Sequence, residues 1–557
     1  MRPIDWIVMF AWLAFIVGYG VYRGRGSNTV NSYLLAGKSM PWYAMGLSIM
    51  ATQASAVTFI STTGQSYTDG MRFVQFYFGL PLAMVILSAT AVPIFHRANV
   101  YTAYEYLEQR FDVKTRALVS AIFLIQRGLA AGLSLYAPSV VLSAILGWPE
   151  RSTTVLMGVL IVSYTAFGGN KAVTWADVQQ MLLISCALIL ALFMAIHLLP
   201  ANVSWSGAVS LAGAAGRLNA VTWNFDWNDR YNVWSGLIGG MFLALAYFGC
   251  DQSQVQRYLT GKSIGQSRLG LLFNALAKIP MQFCILFIGA MVFVFFTFEK
   301  PPLLFQPVEL ARVEKDPRFS AVEQRYNQAF TERKRAAEEY LQASDAEARQ
   351  ATRTRYQSAQ RELNDAHAAG EQLVGKDFHD VNYIFLSFVT GYLPAGVVGL
   401  IIAVIFTAAM SSTSGEINSL AAVTVIDLYQ RHIRKDASDR HYLTASRLAT
   451  LFWGVYAVVF AQYGSSFGAL IEAVNIVGSL FYGGLLGVFV LAFFFKSVRA
   501  NGAFLGVLAG EAAIFAAFLF TKISYLWYNV VGCVVVIAVG VLASRFSARE
   551  EPRKTLA

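Results

Sequence analysis

The chain repeatedly runs through close to twenty apolar residues and then a short charged loop, and this pattern excludes most folds. A run of that length crosses the hydrocarbon core of a bilayer as a helix, where every backbone polar group must be satisfied within the segment itself. Thirteen such runs are predicted: 6–21, 42–65, 73–95, 117–146, 155–167, a sixth ending at 199, 234–250, 269–298, a ninth through 396–429, 444–463, 467–495, 503–520 and 526–543. The chain therefore reads as an all-α polytopic membrane protein. Only 14% of its residues are charged, whereas a soluble protein carries about a quarter.

The flanking charges set an expected orientation. Arg2 is offset by Asp5 ahead of the first run, and Arg23 and Arg25 follow it, which puts the N-terminus outside. Thirteen crossings then leave the C-terminus in the cytoplasm, and the loops this order places inside hold most of the Lys and Arg. The net charge of +10 is thus a membrane-flanking charge and gives no reason to expect nucleic acid. The four cysteines (Cys186, Cys250, Cys284, Cys533) sit in apolar runs without metal-like spacing, and the six histidines form no metal pair. Gly261-Lys-Ser263 hints at a phosphate loop, but Gln256 stands where its first glycine belongs, so no ATPase follows.

Chemistry concentrates in 406–429, where hydroxyls crowd into an apolar helix: Thr407, Ser411, Ser412, Thr413, Ser414 and Ser419, beside Glu416. Ala408, Ser411 and Ser412 stand at i, i+3 and i+4 and share one helix face. One such serine commonly bonds back to its own helix. A row of them beside a buried acid points to an oxygen site for a hard cation. Thr52 to Ser55, an unusually polar stretch in the second run, suits a helix broken around a cavity, and the seventh run is correspondingly rich in glycine. Lys278 lies deep in the eighth run, where an ammonium marks either a solute contact or an ion pair with an acid such as Glu416. Arg127 is expected to pair inside the protein, and Glu472 and Glu511 to snorkel from span ends.

Five motifs in order resemble the sodium/solute symporters, a family of sodium-coupled sugar, proline, sialic acid and monocarboxylate carriers. They are Leu35-Ala-Gly-Lys-Ser-Met-Pro-Trp42; Tyr164-Thr-Ala-Phe-Gly-Gly169 with Trp175-Ala-Asp177; Asp251-Gln-Ser-Gln-Val-Gln-Arg257; Ala408-Ala-Met-Ser-Ser412 with Asn418-Ser419; and Phe494-Phe-Lys-Ser-Val-Arg-Ala-Asn-Gly-Ala503. The resemblance implies a LeuT-type core of two inverted five-helix repeats. One helix (1–22) precedes the core, 42–200 form the first repeat, 231–298 and 383–497 form the second, and two helices (500–545) and a cytoplasmic tail (546–557) follow. It implies a sodium ion held by Ala51, Ala54, Ala408, Ser411 and Ser412, with no cofactor beyond this coupling ion. Asp177 has two readings, a ligand of a second sodium with Ser414 or a structural acid, and Gly415 stands where the family pattern expects a further serine. The implied solute site comprises Gln53, Tyr247, Lys278 and Asn475. The implied activity is sodium-driven uptake of a small polar organic solute, sugar-like or a small carboxylate or amino acid, across the cell membrane by alternating access. A transporter-like sensor working through an insertion is the alternative, and no enzymatic nucleophile–base pair is seen.

That insertion, 299–382, interrupts the family pattern between core helices seven and eight. Phe319, Val322, Tyr326, Phe330, Ala337 and Leu341 recur at helical spacing, as do Tyr356, Ala359, Leu363, Ala366 and Leu373. Ser344-Asp-Ala-Glu347 reads as a capping box between them. An extracellular helical hairpin with two arms of some 24 residues is expected, docking a protein partner or the outer gate.

Overall fold

The computed structural model describes residues 1–24, 36–165, 170–376 and 378–546. Leu35, Ala166 to Gly169 of the second motif, and the tail from 547 onward lie outside the described residues. Helices account for every predicted run: α1 (Pro3–Gly24), α2 (Trp42–Gln53), α3 (Ala56–Asp69), α4 (Leu80–Ala89), α5 (Ala91–Ala98), α6 (Ala103–Arg110), α7 (Val113–Leu146), α8 (Glu150–Thr165), α9 (Asn170–His197) and α10 (Trp205–Ala214). There follow α11 (Gly240–Gly249), α12 (Gln252–Tyr258), α13 (Ile264–Phe298), α14 (Phe319–Gln342), α15 (Ala346–Val374), α16 (Ile384–Tyr392), α17 (Val397–Val423), α18 (Asp439–Ala461), α19 (Leu470–Phe494), α20 (Ala500–Phe520) and α21 (Tyr525–Phe546). Among the described residues, nine stretches are long and apolar enough to cross a membrane unaided, and α1 and 235–249 contribute shorter apolar pieces.

Two spans are broken in mid-core, and the sequence shows why. At the α2–α3 junction Ala54 leaves the helical region (φ −88°, ψ 59°) and Ser55 is extended. The Thr58 hydroxyl bridges the gap by donating to the Gln53 carbonyl at 2.8 Å. The second break separates α11 from α12. There the Asp251 carboxylate accepts from the Ser253 N–H at 2.9 Å and restarts the helix as its N-cap. The glycines before it serve close packing: a Cβ on Gly236 or Gly240 would collide with the backbone carbonyls of Gln75 and Phe76. The 235–249 segment therefore lies directly on the connection between α3 and α4.

Buried polar contacts fix the ends of the bundle. The Asp5 carboxylate accepts from the N–H groups of Gly396 (2.6 Å) and Gly399 (3.1 Å), capping the start of α17. This puts the N-terminus at the end of the molecule that carries the insertion. At the other end, Arg110 donates to the Phe495 and Lys496 carbonyls, and the Arg499 N–H donates to Ser544 near the end of α21 at 3.0 Å. The two described chain ends thus lie at opposite ends of the bundle.

The insertion folds as two antiparallel helices, α14 with 24 residues and α15 with 29. Tyr326, Phe330, Tyr356, Leu363 and Ala366 are buried along the predicted stripes. The cap lies one residue later than the capping-box reading. Asp345, not Ser344, accepts from the Ala348 N–H at 2.7 Å, and its carboxylate charge suits a helix N-terminus better than a neutral hydroxyl. The thin, alanine-rich zipper is completed by the helical bundle itself. Arg333, fully buried, donates to the Phe296 carbonyl of α13 and to Gln360 at 3.1 Å, and Gln357 donates to the Ala214 carbonyl of α10 at 2.8 Å.

Candidate functional site

The first helix break and α11 face one another across a partly open cavity of about 110 Å³. Gln53, Tyr247 and Asn475, three of the four residues expected at the solute site, line it. Gln53 donates its amide to Asn274 at 3.1 Å and Asn475 to the Ile471 carbonyl at 2.7 Å, which leaves each amide oxygen free to accept. The Tyr247 hydroxyl accepts from Gln254 at 2.7 Å, so its ring is held across the floor of the site by the α12 side of the break.

Lys278 does not line this cavity. It is buried behind Tyr77, its Nζ 5.5 Å from the ring centroid and without a hydrogen-bond partner. The ion pair with Glu416 considered from the sequence does not form, because Glu416 belongs to Arg127. The Tyr77 ring that it faces does line the cavity.

The charged centre of the site is Arg127. Its Nη1 lies 3.0 Å from Glu416 Oε1, its Nη2 donates to Asp251, and the Tyr482 hydroxyl is 2.7 Å from the same nitrogen. Tyr482 in turn donates to Asp251 at 3.0 Å. Four elements (α7, the second break, α17 and α19) are tied together here in the protein interior. Internal pairing was expected for Arg127, but its partners lie 124 and 289 residues away. Asp251 carried only a motif as its signal, and Tyr482 carried none. Glu416 Oε2 and Arg127 Nε remain without hydrogen-bond partners on the cavity wall.

The five residues assigned to sodium are all buried. No described backbone hydrogen bond ends on the carbonyls of Ala51 or Ala54, as follows from a helix that stops between them. On α17 the Ser412 hydroxyl donates to the Ala408 carbonyl at 2.9 Å, the back-bond a helix offers any serine. Ser411 donates to Asp177. Asp177 also accepts from Ser48 at 2.6 Å and pairs with Arg257 at 2.7 Å. A Cβ on Gly415 would meet the Arg257 guanidinium at 2.6 Å, so the residue that breaks the serine pattern makes room for that cation. The Ser414 hydroxyl is buried and unpartnered.

Polar layers close the bundle above and below. Glu472, expected to snorkel, instead binds Arg230 (2.5 Å), the Tyr231 hydroxyl (2.7 Å) and Gln65 (3.2 Å). At the opposite end Arg116 joins Asp427 and Glu108, and Arg431 also pairs with Glu108. Glu511 does not snorkel either. It sits midway along α20, turned toward Gly484 of α19, with both carboxylate oxygens buried and unpartnered.

The family model of the Sodium:solute symporter family matches residues 33–305 and 360–510, leaving 306–359 unmatched. The chain is 27% identical to the sodium/sialic acid symporter NanT of Aliivibrio fischeri over 97% of this chain and 93% of that one. It is 26% identical to a sodium/glucose cotransporter of Vibrio parahaemolyticus (96% and 89%) and 28% identical to the human sodium-coupled monocarboxylate transporter 1 (91% and 72%). Among solved structures, a substrate-bound, outward-open Na+-coupled sialic acid symporter superposes with a TM-score of 0.77 at 24% identity, covering the whole of both chains.

Proposed function

This chain belongs to the Sodium:solute symporter family, and from that premise we propose which residues carry its sodium-coupled symport and what kind of solute they take. It is an integral membrane protein with a LeuT-type core, and its relatives are sodium-coupled symporters of small organic solutes. The observation that carries the reading is the α2 break, whose Ala51 and Ala54 carbonyls are left without hydrogen bonds in a helix that packs against the hydroxyl-bearing α17. Sodium replaces those missing bonds, together with Ala408, Ser411 and Ser412, and so orders the break beside the solute cavity. One sodium per cycle follows from Arg257, which already neutralises Asp177 where a second ion would have to sit.

The cavity wall selects the solute. The free oxygens of Gln53, Asn475 and Glu416 all accept hydrogen bonds, while the Arg127 charge is already met by two carboxylates. A neutral polyhydroxylated or an amine-bearing solute satisfies these groups, and a plain carboxylate leaves them unpaired. The Tyr247, Tyr77 and Tyr482 rings supply apolar faces for its carbon skeleton.

Sodium binding favours the state open to the outside, and solute binding then allows the bundle to rock inward. The Glu472 and Arg116 layers are the outer and inner doors of that cycle, with the N-terminus and the hairpin outside. Counterflow of radiolabelled hexoses, amino acids and short carboxylates in proteoliposomes tests the reading. Sodium-dependent exchange of a hydroxyl- or amine-bearing solute is expected, and exchange confined to simple carboxylates would overturn the solute assignment.

A further inference from the structure

At the base of the hairpin, three metal-ligating side chains converge where neither solute nor sodium is expected. His367 and Glu371 stand one turn apart on α15, and Asp380 comes from the segment that leads into α16. One ligand atom from each lies within 4.8 Å of the others. His367 Nε2 and Asp380 Oδ1 face each other at 3.4 Å, and neither has a hydrogen-bond partner, although the Asp380 side chain is only 1% exposed. A protonated His367 pairs with Asp380 across this gap, whereas a neutral imidazole leaves both buried atoms unsatisfied, and a metal ion between them would satisfy both. The separation also matches the edge of a tetrahedral zinc site, about 3.4 Å for metal–ligand bonds of 2.0–2.1 Å.

The surroundings hold these groups as the outer shell of a metal site does. The Asp380 carboxylate is oriented by the Phe305 N–H through its other oxygen, and the Asp380 N–H donates to Glu371 at 3.1 Å. His379 Nδ1 lies 3.6 Å from Glu371, beside the cluster but outside the group of three. One imidazole nitrogen with two carboxylates suits a borderline transition-metal ion, whereas calcium and magnesium prefer all-oxygen shells of six or more ligands.

We propose that His367, Glu371 and Asp380 form a Zn2+-class site that fastens the hairpin to the outer gate of the carrier. The cluster opens on an outer vestibule of about 540 Å³ that is also lined by Gln65 and Glu472 of the outer layer. Two residues beyond Asp380, Asn382 donates to the Gly468 carbonyl at 2.9 Å and accepts from the Leu470 N–H at 3.3 Å, at the start of α19. A Cβ on Gly64 of α3 would strike the Val381 carbonyl. A metal joining α15 to Asp380 therefore ties the hairpin to the segment that lies against both α3 and α19.

The test uses full-length purified protein stripped with EDTA. Calorimetric titration with Zn2+ should show one site per chain, with affinity at least about tenfold weaker in both His367→Ala and Glu371→Gln. Mg2+ and Ca2+ should produce no comparable heat. Hydrogen exchange of 378–383 should slow when Zn2+ is added to the wild type and remain unchanged in the variants. Failure to bind Zn2+ at millimolar concentration, or equal binding by wild type and both variants, would overturn the site. Binding that leaves exchange at 378–383 unaltered would overturn the fastening. None of these readouts depends on transport, so the proposal stands or falls separately from the solute and sodium assignments.

Discussion

Replacing Arg127 with methionine should expose how much the fold depends on the ion cluster in its core. Arg127 is 2% exposed, Asp251 0% and Glu416 8% at the side chain, so the change strands two carboxylates without their cation. Breaking a buried pair by removing one partner costs about 3–5 kcal/mol, or roughly a hundredfold to a few thousandfold in the ratio of folded to unfolded protein. The cost is unevenly divided. Asp251 keeps the Ser253 N–H and hydroxyl (2.9 and 2.7 Å) and the Tyr482 hydroxyl (3.0 Å). Glu416 keeps at most the hydroxyl of Ser134 nearby. Adding Glu416→Gln to Arg127→Met should therefore recover most of the loss, and adding Asp251→Asn should recover little. Denaturant titration in mild detergent micelles, read by the fraction that stays monodisperse, measures all four proteins on one scale. Arg127→Met within about 1 kcal/mol of wild type, or equal rescue by the two second changes, would mean that the stranded carboxylates do not set the cost.

Lys278→Met should fold normally and raise the solute concentration for half-maximal uptake by no more than about thirtyfold, since a desolvated cation over an aromatic ring contributes around 2 kcal/mol; complete loss of solute binding with intact sodium binding would mean a direct contact. Protease added to intact cells should cut near 343–345, between the hairpin arms, and cleavage from the cytoplasmic side alone would reverse the orientation. Burial on its own lowers the pKa of His367, but the Asp380 and Glu371 carboxylates more than reverse this and hold it above its ordinary value. Protons thus compete with metal from a higher pH than for a free imidazole, and calorimetric Zn2+ affinity should fall steadily from about pH 8 to about pH 6; affinity independent of pH over that range would exclude His367 as a ligand.

What was legible in the sequence was mostly local. The Thr52 to Ser55 break, the glycine-rich 235–249 segment and the hairpin stripes all follow from spacing along one element, and the structure has them. The expected cap at Ser344 falls one residue early because Ser344 and Asp345 both suit the position along the sequence, and the local backbone geometry and the carboxylate charge decide between them. Partnerships across the bundle were not legible. Arg127 finds Asp251 and Glu416, and Glu472 finds Tyr231 and Gln65, through helix packing that brings distant segments together. Lys278 had the look of a solute ligand because depth in a span is readable, whereas the aromatic ring standing between it and the cavity is not. His367 and Glu371 at i and i+4 carry a faint metal signal, but the decisive ligand, Asp380, comes from a different segment.

Whether the α2 break holds a single sodium against α17, as proposed, is tested without knowledge of the solute by radioactive sodium binding to the purified protein. Saturable binding of one ion per chain is expected, lost in the folded Ser411→Ala/Ser412→Ala double variant and kept in Lys278→Met. Binding of two ions, or wild-type binding by the serine double variant, would contradict the proposal.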